Sequence, residues 1–501
     1  MDSSFILLFI GLYFITLMVI SRLTSRTTSN SQFFLAGRKA PWYLVAFGMI
    51  GASLSGITFI SIPGWVKGGG FGYMQMVLGY VLGYVFIAYV LLPVYYRLNL
   101  VSIYTYLEQR FGRHSYKTGA VFFLISRTIG AGIRLLLVAN VLQYLVFSSW
   151  NIPFEITVLV SILLIWLYTY RGGLNTIVWT DTLQTAFMLI SLILTMLFVA
   201  NALGYKSISE TFSGVSNSGY SQIFFFDDFL EKGHFVKHFF SGILIAIGMT
   251  GLDQDMMQKN LSCKNIKDAQ KNMMSFTVVL VLVNFLFLSL GGLLYMYAEK
   301  NGISVPKIGE DSRPDLLFSE IALNAKLGLG VAIFFLLGLI AAAYSSADSA
   351  LTSLTTSVSI DILEIDKKPE PDQVRIRKII HIVMSVVLFI VILIIDKTLQ
   401  DKSAIMQLIG FAGFVYGPLI GMYFFGLFTK LKVHDGAVPI VCLLSVIITA
   451  LLWYYSFRGA EGQTPENSLF GNGYKFGAEL IIVNSLVSFL GMYFCSLFAR
   501  K

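Results

Sequence analysis

Runs of about 20 apolar residues recur along the whole chain, each long enough at ~1.5 Å per residue to cross a ~30 Å hydrocarbon core. Short polar stretches divide them. The pattern predicts thirteen spanning helices, at approximately 4–20, 42–66, 71–96, 119–148, 153–170, 176–203, 238–257, 275–298, 328–361, 379–396, 403–428, 437–456 and 477–498. The first run, Phe5 to Ile20, has no basic residue before it and is followed by Arg22 and Arg26. That is the reverse of a secretory signal, so it is read as a retained helix. The longest polar connections outside, 204–237 and 299–327, are expected to form short surface helices or a lid. Asp366 to Asp372, with Pro369 and Pro371, reads as a cytoplasmic linker.

Composition agrees with this pattern: 56% of the 501 residues are hydrophobic and only 13% are charged. Mean hydropathy is +0.74, so lipid rather than water must surround most of the chain, and no soluble domain is left over. Orientation follows from the basic residues. With the N-terminus outside and the C-terminus in the cytoplasm, 22 of the 36 lysines and arginines fall in cytoplasmic loops, the bias expected of a multi-pass protein of the cell (inner) membrane. Another 12 fall outside, and Arg127 and Arg134 lie within the fourth segment. The net charge of +8 is dispersed over many short loops, which makes it a topology signal and argues against a nucleic-acid partner.

Other chemistries find little support. Cys263, Cys442 and Cys495 have no CxxC spacing, so neither a disulfide framework nor a zinc site is expected. The five histidines sit in loops or at segment ends without forming a ligand cluster, and no Gly-rich phosphate loop is present. An enzyme, an ATP-driven pump and a bound organic cofactor are therefore all disfavoured.

The polar residues inside the apolar runs carry the candidate chemistry. The second segment packs Gly48, Gly51, Ser53, Ser55, Gly56 and Thr58 into its middle, which weakens a helix. An interrupted helix at membrane depth is tolerated only where protein buries it or a polar cavity faces it, so carbonyls near Gly51 and Leu54 are free to face a cation. Tight packing through small residues is the competing explanation. In the ninth segment Ser345, Ser349, Thr352, Ser353 and Thr356 line one helical face. Ser345 and Ser346, with the Ala342 carbonyl one turn earlier, offer hard oxygens suited to sodium, unless the hydroxyls bond back to their own helix.

Charges at membrane depth are the sharper signal, because each costs at least ~2.5–3.5 kcal/mol and so needs a partner or a task. Asp348 lies in the hydroxyl-rich ninth segment, Asp181 near the inner end of the sixth, and Asp253 and Asp255 near the inner end of the seventh. For the last three a solvated helix end is the alternative. Arg127 and Arg134, two helical turns apart, project from one face of the fourth helix about 10 Å apart. One of them could hold an anionic solute through its planar fork of donors; a structural ion pair is the alternative for each.

These residues resemble the sodium:solute symporter family over nearly the whole chain. The resemblance rests on the helix count, the broken second segment, Gly172-Gly-Leu-Asn-Thr-Ile-Val-Trp-Thr-Asp-Thr-Leu-Gln184, the Asp253-Gln254 to Gln258-Lys259 pattern and Ala342 to Ser349. It implies an all-α membrane protein with a five-plus-five inverted-repeat, LeuT-like core. The chain would then be one transmembrane domain, 1–501: a peripheral helix at 4–20, repeats at 42–203 and 238–428, and peripheral helices at 437–498. It also implies a sodium site on Gly51, Leu54, Ala342, Ser345 and Ser346. In the sialic acid branch a second cation site is matched by Asp181, Ser345 and Ser349, with Asp348 standing where that branch usually has serine. Ser53, Ser55 and Thr58 are similar to that branch's hydroxyl-bearing motif. Gln75 and an arginine of the fourth segment, Arg134 before Arg127, complete the implied solute site.

The leading expectation is sodium-coupled symport of a small polar or anionic solute, with sialic acid or another sugar acid favoured. The partners expected are that solute, sodium ions and the lipid bilayer, with a monomer as the expected state. A sodium-coupled sugar or amino-acid symporter is the alternative, as is an uncoupled uniporter or sensor of the same fold. A membrane enzyme ranks below both.

Overall fold

The computed structural model describes residues 3–24, 29–143, 147–308, 311–324, 327–398, 404–458, 474 and 476–498. Parts of two expected segments, 144–146 and 403, and the C-terminal basic pair lie outside the described residues. The apolar helices, labelled in chain order, are α1 (Ser3–Thr24), α2a (Trp42–Ser53), α2b (Gly56–Gly69), α3 (Tyr73–Arg97), α4 (Arg113–Leu142) and α5 (Phe154–Thr169). There follow α6 (Leu174–Leu203), α7a (Phe235–Gly251), α7b (Gln254–Leu261), α8 (Ile266–Lys300) and α9 (Leu329–Ile362). The last four are α10 (Glu370–Thr398), α11 (Ala404–Phe428), α12 (Val438–Arg458) and α13 (Leu480–Phe498). Beyond helices, the described residues hold a two-residue antiparallel ladder pairing Lys307 with Ser312 and Ile308 with Asp311, and an isolated parallel bridge between Ala40 and Cys263.

Among the described residues, ten helices are long and apolar enough to cross a bilayer unaided, and the two bent pairs bring the candidate spans to twelve. The remaining helix, α5, has 16 residues and reaches only about 24 Å, short of a ~30 Å core. The expected thirteen therefore stands as twelve spans and one short apolar helix. Both long connections carry a short helix: Ile208–Asn217 lies at the surface, whereas Leu317–Asn324 packs inward, with Leu317, Phe318, Ile321 and Ala322 buried.

Two breaks shape the core. The first bends α2a against α2b by 60°: Leu54 leaves helical geometry at φ −84°, ψ 81°, and Ser55 is extended at the start of α2b. The glycines before it have a packing reason. A Cβ on Gly48 would lie 3.0 Å from the Asp181 Cβ, and one on Gly51 would collide with the Thr185 hydroxyl. The bare backbone of α2a thus rests directly on α6 at Asp181 and Thr185, so the break and tight packing through small residues occur together. The second break bends α7a against α7b by 65°. A π-turn over Ile247–Gly251 precedes it, and the Asp253 side chain caps α7b by accepting from the Asp255 and Met256 N–H groups at 3.0 and 3.3 Å.

Helix α7a packs against α3, and both α2a and α2b pack against α8. Helix α6 packs against both α2a and α9, which brings the break in α2 beside the hydroxyl face of α9.

The break at 252–253 corrects one expectation. Lys259, which lies just past the expected seventh segment (238–257) and so among the 22 basic residues assigned to cytoplasmic loops, turns back into the protein on α7b and is 2% exposed. Asp181, Asp253 and Asp255 are likewise buried rather than solvated helix ends. Apolarity alone ends the segment near 257, whereas the chain continues as a polar helix packed on α2a, α8 and α9.

Candidate functional site

The end of α2a, the middle of α6 and the hydroxyl face of α9 converge. The Ser346 hydroxyl donates to the Ala52 carbonyl at 3.3 Å, and the Gly51 N–H donates to Thr185 Oγ1 at 3.0 Å. A Cβ on Gly56, just past the break, would lie 3.3 Å from the Ala343 Cβ, so the two backbones run in close contact there. Ala342, Ser345 and Ser346 are fully buried against this junction. These are hard, neutral oxygens of the type that coordinates an alkali ion.

Beside this junction lies a charged cluster. The Asp181 carboxylate accepts from the Ser345 hydroxyl at 2.7 Å and from the Ser349 hydroxyl at 3.4 Å. Lys259 Nζ lies 2.8 Å from its Oδ2. Asp348, completely buried, accepts from the Tyr168 hydroxyl at 2.8 Å and from the Ser349 N–H at 2.5 Å. The cluster joins four elements, α6, α7b, α9 and α5, around one buried ion pair.

A cavity of about 100 Å³ opens at the α2 break, lined among others by Ser53, Ser55, Thr58, Tyr84, Arg127, Arg134 and Asn284. The two arginines differ in state. Arg127 is ion-paired with Asp255, whose neighbour Asp253 accepts from the Tyr416 hydroxyl at 2.7 Å. Arg134 is 6% exposed, its Nε has no hydrogen-bond partner, and no carboxylate among the described residues pairs with it. A buried guanidinium without a counter-charge is costly, and this one faces an open space.

Gln75 does not line the cavity. Its Nε2 donates to the Gly233 carbonyl at 2.9 Å, and its Oε1 accepts from the Phe225 N–H at 3.0 Å, so it clamps the 219–234 loop onto α3. Residues not singled out from the sequence also face the cavity: Tyr73, Tyr80 and Tyr84 on α3, Thr250 at the second break, and Asn284 on α8. The seven- and four-residue spacings of the tyrosines, and a lone asparagine in an apolar helix, were the signals available.

The two faces of the molecule are unlike. On one, a vestibule of about 770 Å³ is walled by Ser61, Trp65, Phe225, Asp227, His238 and Asp315, among others. Trp65 and Tyr73, with ring centroids 6.2 Å apart, and the Tyr73–Tyr80 hydroxyl pair at 3.2 Å stand between it and the cavity. The opposite face is closed by residues 29–40. The Ala40 N–H donates to the Ser262 carbonyl at 3.1 Å, Gln258 Nε2 to the Phe34 carbonyl at 2.5 Å, and Arg377 Nη1 to Asn30 Oδ1 at 2.5 Å.

A sodium/sialic acid symporter of Aliivibrio fischeri is 27% identical over 450 residues, covering 86% of this chain and 83% of its own. Another of Proteus mirabilis is 24% identical, covering 90% and 88%. The solved structure of a Na+-coupled sialic acid symporter in a substrate-bound outward-open state superposes with a TM-score of 0.81 at 18% identity, over 99% of this chain and 98% of that one. That likeness shows the fold, a LeuT-like helical core. The profile of the sodium:solute symporter family matches residues 33–442. The chain therefore belongs to the sodium:solute symporter family, and it is a sodium-coupled membrane symporter rather than an enzyme.

Proposed function

We propose that the protein carries a small organic anion, a sialic acid or related sugar acid, into the cell with sodium. The observation that carries this reading is the buried guanidinium of Arg134 at the wall of the cavity, with no counter-charge among the described residues. A solute carboxylate there supplies the missing counter-charge, and the bidentate geometry selects for it. The hydroxyls of Ser53, Ser55 and Thr58 on the same wall suit a polyol. The names of the Aliivibrio fischeri and Proteus mirabilis relatives agree with a sialic acid. Arg127, already paired with Asp255, lines the same space and positions α7b.

Sodium is held by the carbonyls of Gly51, Leu54 and Ala342 and the hydroxyls of Ser345 and Ser346. Support comes from the 3.3 Å contact between Ser346 and the Ala52 carbonyl, which sets α9 against the end of α2a. Such a cage works as a coupling device because its oxygens come from two elements that separate during transport. A bound ion favours the state in which they touch, and their separation releases it. Asp181, Ser349 and Asp348 are the candidate second cation site.

The vestibule faces outside, with the N-terminus outside, the C-terminus in the cytoplasm and the chain a monomer in the cell (inner) membrane. The core divides into repeats at 42–203 and 238–428, with α1, α12 and α13 peripheral. An open vestibule and a sealed 29–40 face then correspond to an outward-facing state. Residence in an energised membrane adds electrical work, ~2.3 kcal/mol per charge moved across 100 mV.

A second reading, a smaller organic acid, is favoured by the cavity's about 100 Å³, well below the ~300–1,000 Å³ of pockets for drug-sized ligands. Proteoliposome uptake of N-acetylneuraminate, lactate, galactose and proline, under imposed sodium or proton gradients, tests both. Sodium-driven uptake of N-acetylneuraminate supports the first reading and of lactate alone the second. Uptake confined to galactose or proline contradicts both.

A further inference from the structure

The carboxylate that a second sodium would use already holds a cation. Asp181 Oδ2 lies 2.8 Å from Lys259 Nζ, with the Ser345 and Ser349 hydroxyls on the same carboxylate at 2.7 and 3.4 Å. Both partners are essentially inaccessible, at 1% and 2% exposure. We propose that the Lys259 ammonium is a built-in cation occupying this second site, so that one sodium, on the α2–α9 cage, is bound per chain. The inference rests on the sodium cage of the preceding section and specifies its stoichiometry.

Three observations carry it. An ammonium and a sodium ion have the same charge and compete for the same oxygens. Two unit charges ~4 Å apart repel by ~4 kcal/mol at an effective dielectric of 20, so a sodium on Asp181 and an ammonium on Asp181 exclude each other. Lys259 is also held in place. Its neighbour Gln258 donates to the Phe34 carbonyl on one side and to Thr356 Oγ1 of α9 on the other, which fixes α7b between them. Finally, Asp348, in the same buried region, is occupied by the Tyr168 hydroxyl and the Ser349 N–H, which leaves Asp181 as the carboxylate that pairs with Lys259.

The test is equilibrium binding of radiosodium to the purified full-length protein in lipid nanodiscs, which needs no knowledge of the solute. Wild type is expected to bind one sodium per chain, and Lys259→Arg to keep one. Lys259→Gln, which vacates the carboxylate, is expected to bind two. Two sodium ions on wild type overturn the inference and leave the cage standing, whereas none on wild type overturns both. A Lys259→Gln protein that still binds only one also overturns it. If that variant does not fold, the wild-type count alone decides.

Discussion

Replacing Arg134 by glutamine separates two roles that an arginine in a membrane helix can have. The guanidinium is buried, its Nε is unpartnered, and no carboxylate among the described residues pairs with it, so the protein alone gains nothing from its charge. Arg134→Gln should therefore leave thermal stability unchanged or raise it. Solute affinity should fall instead. Removing one partner of a buried, hydrogen-bonded charge pair costs ~2–5 kcal/mol, or ~30- to ~4,000-fold in affinity for the anion. Arg127→Gln is the opposite case: it strands the buried Asp255 and should cost ~3–5 kcal/mol of stability. The assay pairs melting of detergent-solubilised protein with uptake of labelled N-acetylneuraminate in proteoliposomes. If Arg134→Gln keeps the wild-type KM while lowering the melting temperature, the guanidinium is structural and the solute reading is wrong.

Other perturbations read the neighbouring parts. Ser345→Ala and Ser346→Ala should each raise the sodium concentration for half-maximal uptake by roughly tenfold, the weight of one ligand at ~1.4 kcal/mol, with little change in melting; unchanged sodium activation would remove both hydroxyls from the cage. Gly51→Ala should abolish uptake because its Cβ meets the Thr185 hydroxyl, and adding Thr185→Ala should restore it, since the next atoms lie at 3.4 Å; no rescue would mean that α2a needs its glycine for another reason. In the loop after α9, hydrogen bonds from Lys117 and then Lys367 hold the Glu364 carboxyl down at about 2. A depressed carboxylate stabilises above its ordinary value of ~4.3 and loses that contribution only as pH falls through the folded value. The melting difference between wild type and Glu364→Gln should therefore be the same at mildly acidic and neutral pH, and a difference that vanishes near pH 5 would contradict the ion pair.

Much of this molecule is legible in its sequence, for identifiable reasons. Gly51, Ser53 and Gly56 sit in an apolar run where small and polar residues cannot serve lipid, so the break at Leu54 is written locally. The α9 hydroxyls at three- and four-residue spacing fix a face for the same reason. What the sequence hides is tertiary. The family resemblance attached Gln75 to the solute, but the fold hands its amide to a loop more than 140 residues away in the chain. Lys259 looked like a cytoplasmic loop residue because the apolar run ends before it, and only the turn at Asp253 reveals that it meets Asp181. The choice between Arg127 and Arg134 also depended on a partner on another helix, Asp255, which no spacing discloses. Asn284 and the α3 tyrosines were visible as residue types, but their inward direction needed the packing of α3 and α8 around α2.

Coupling itself can be measured from the ion's side. In proteoliposomes with equal sodium on both sides, an inward gradient of N-acetylneuraminate should drive radiosodium influx in wild type. The Ser345→Ala/Ser346→Ala double variant should show none. Sodium movement in wild type that ignores the solute gradient, with solute uptake continuing when sodium is replaced by choline, would contradict a cage at the α2–α9 junction as the coupling device.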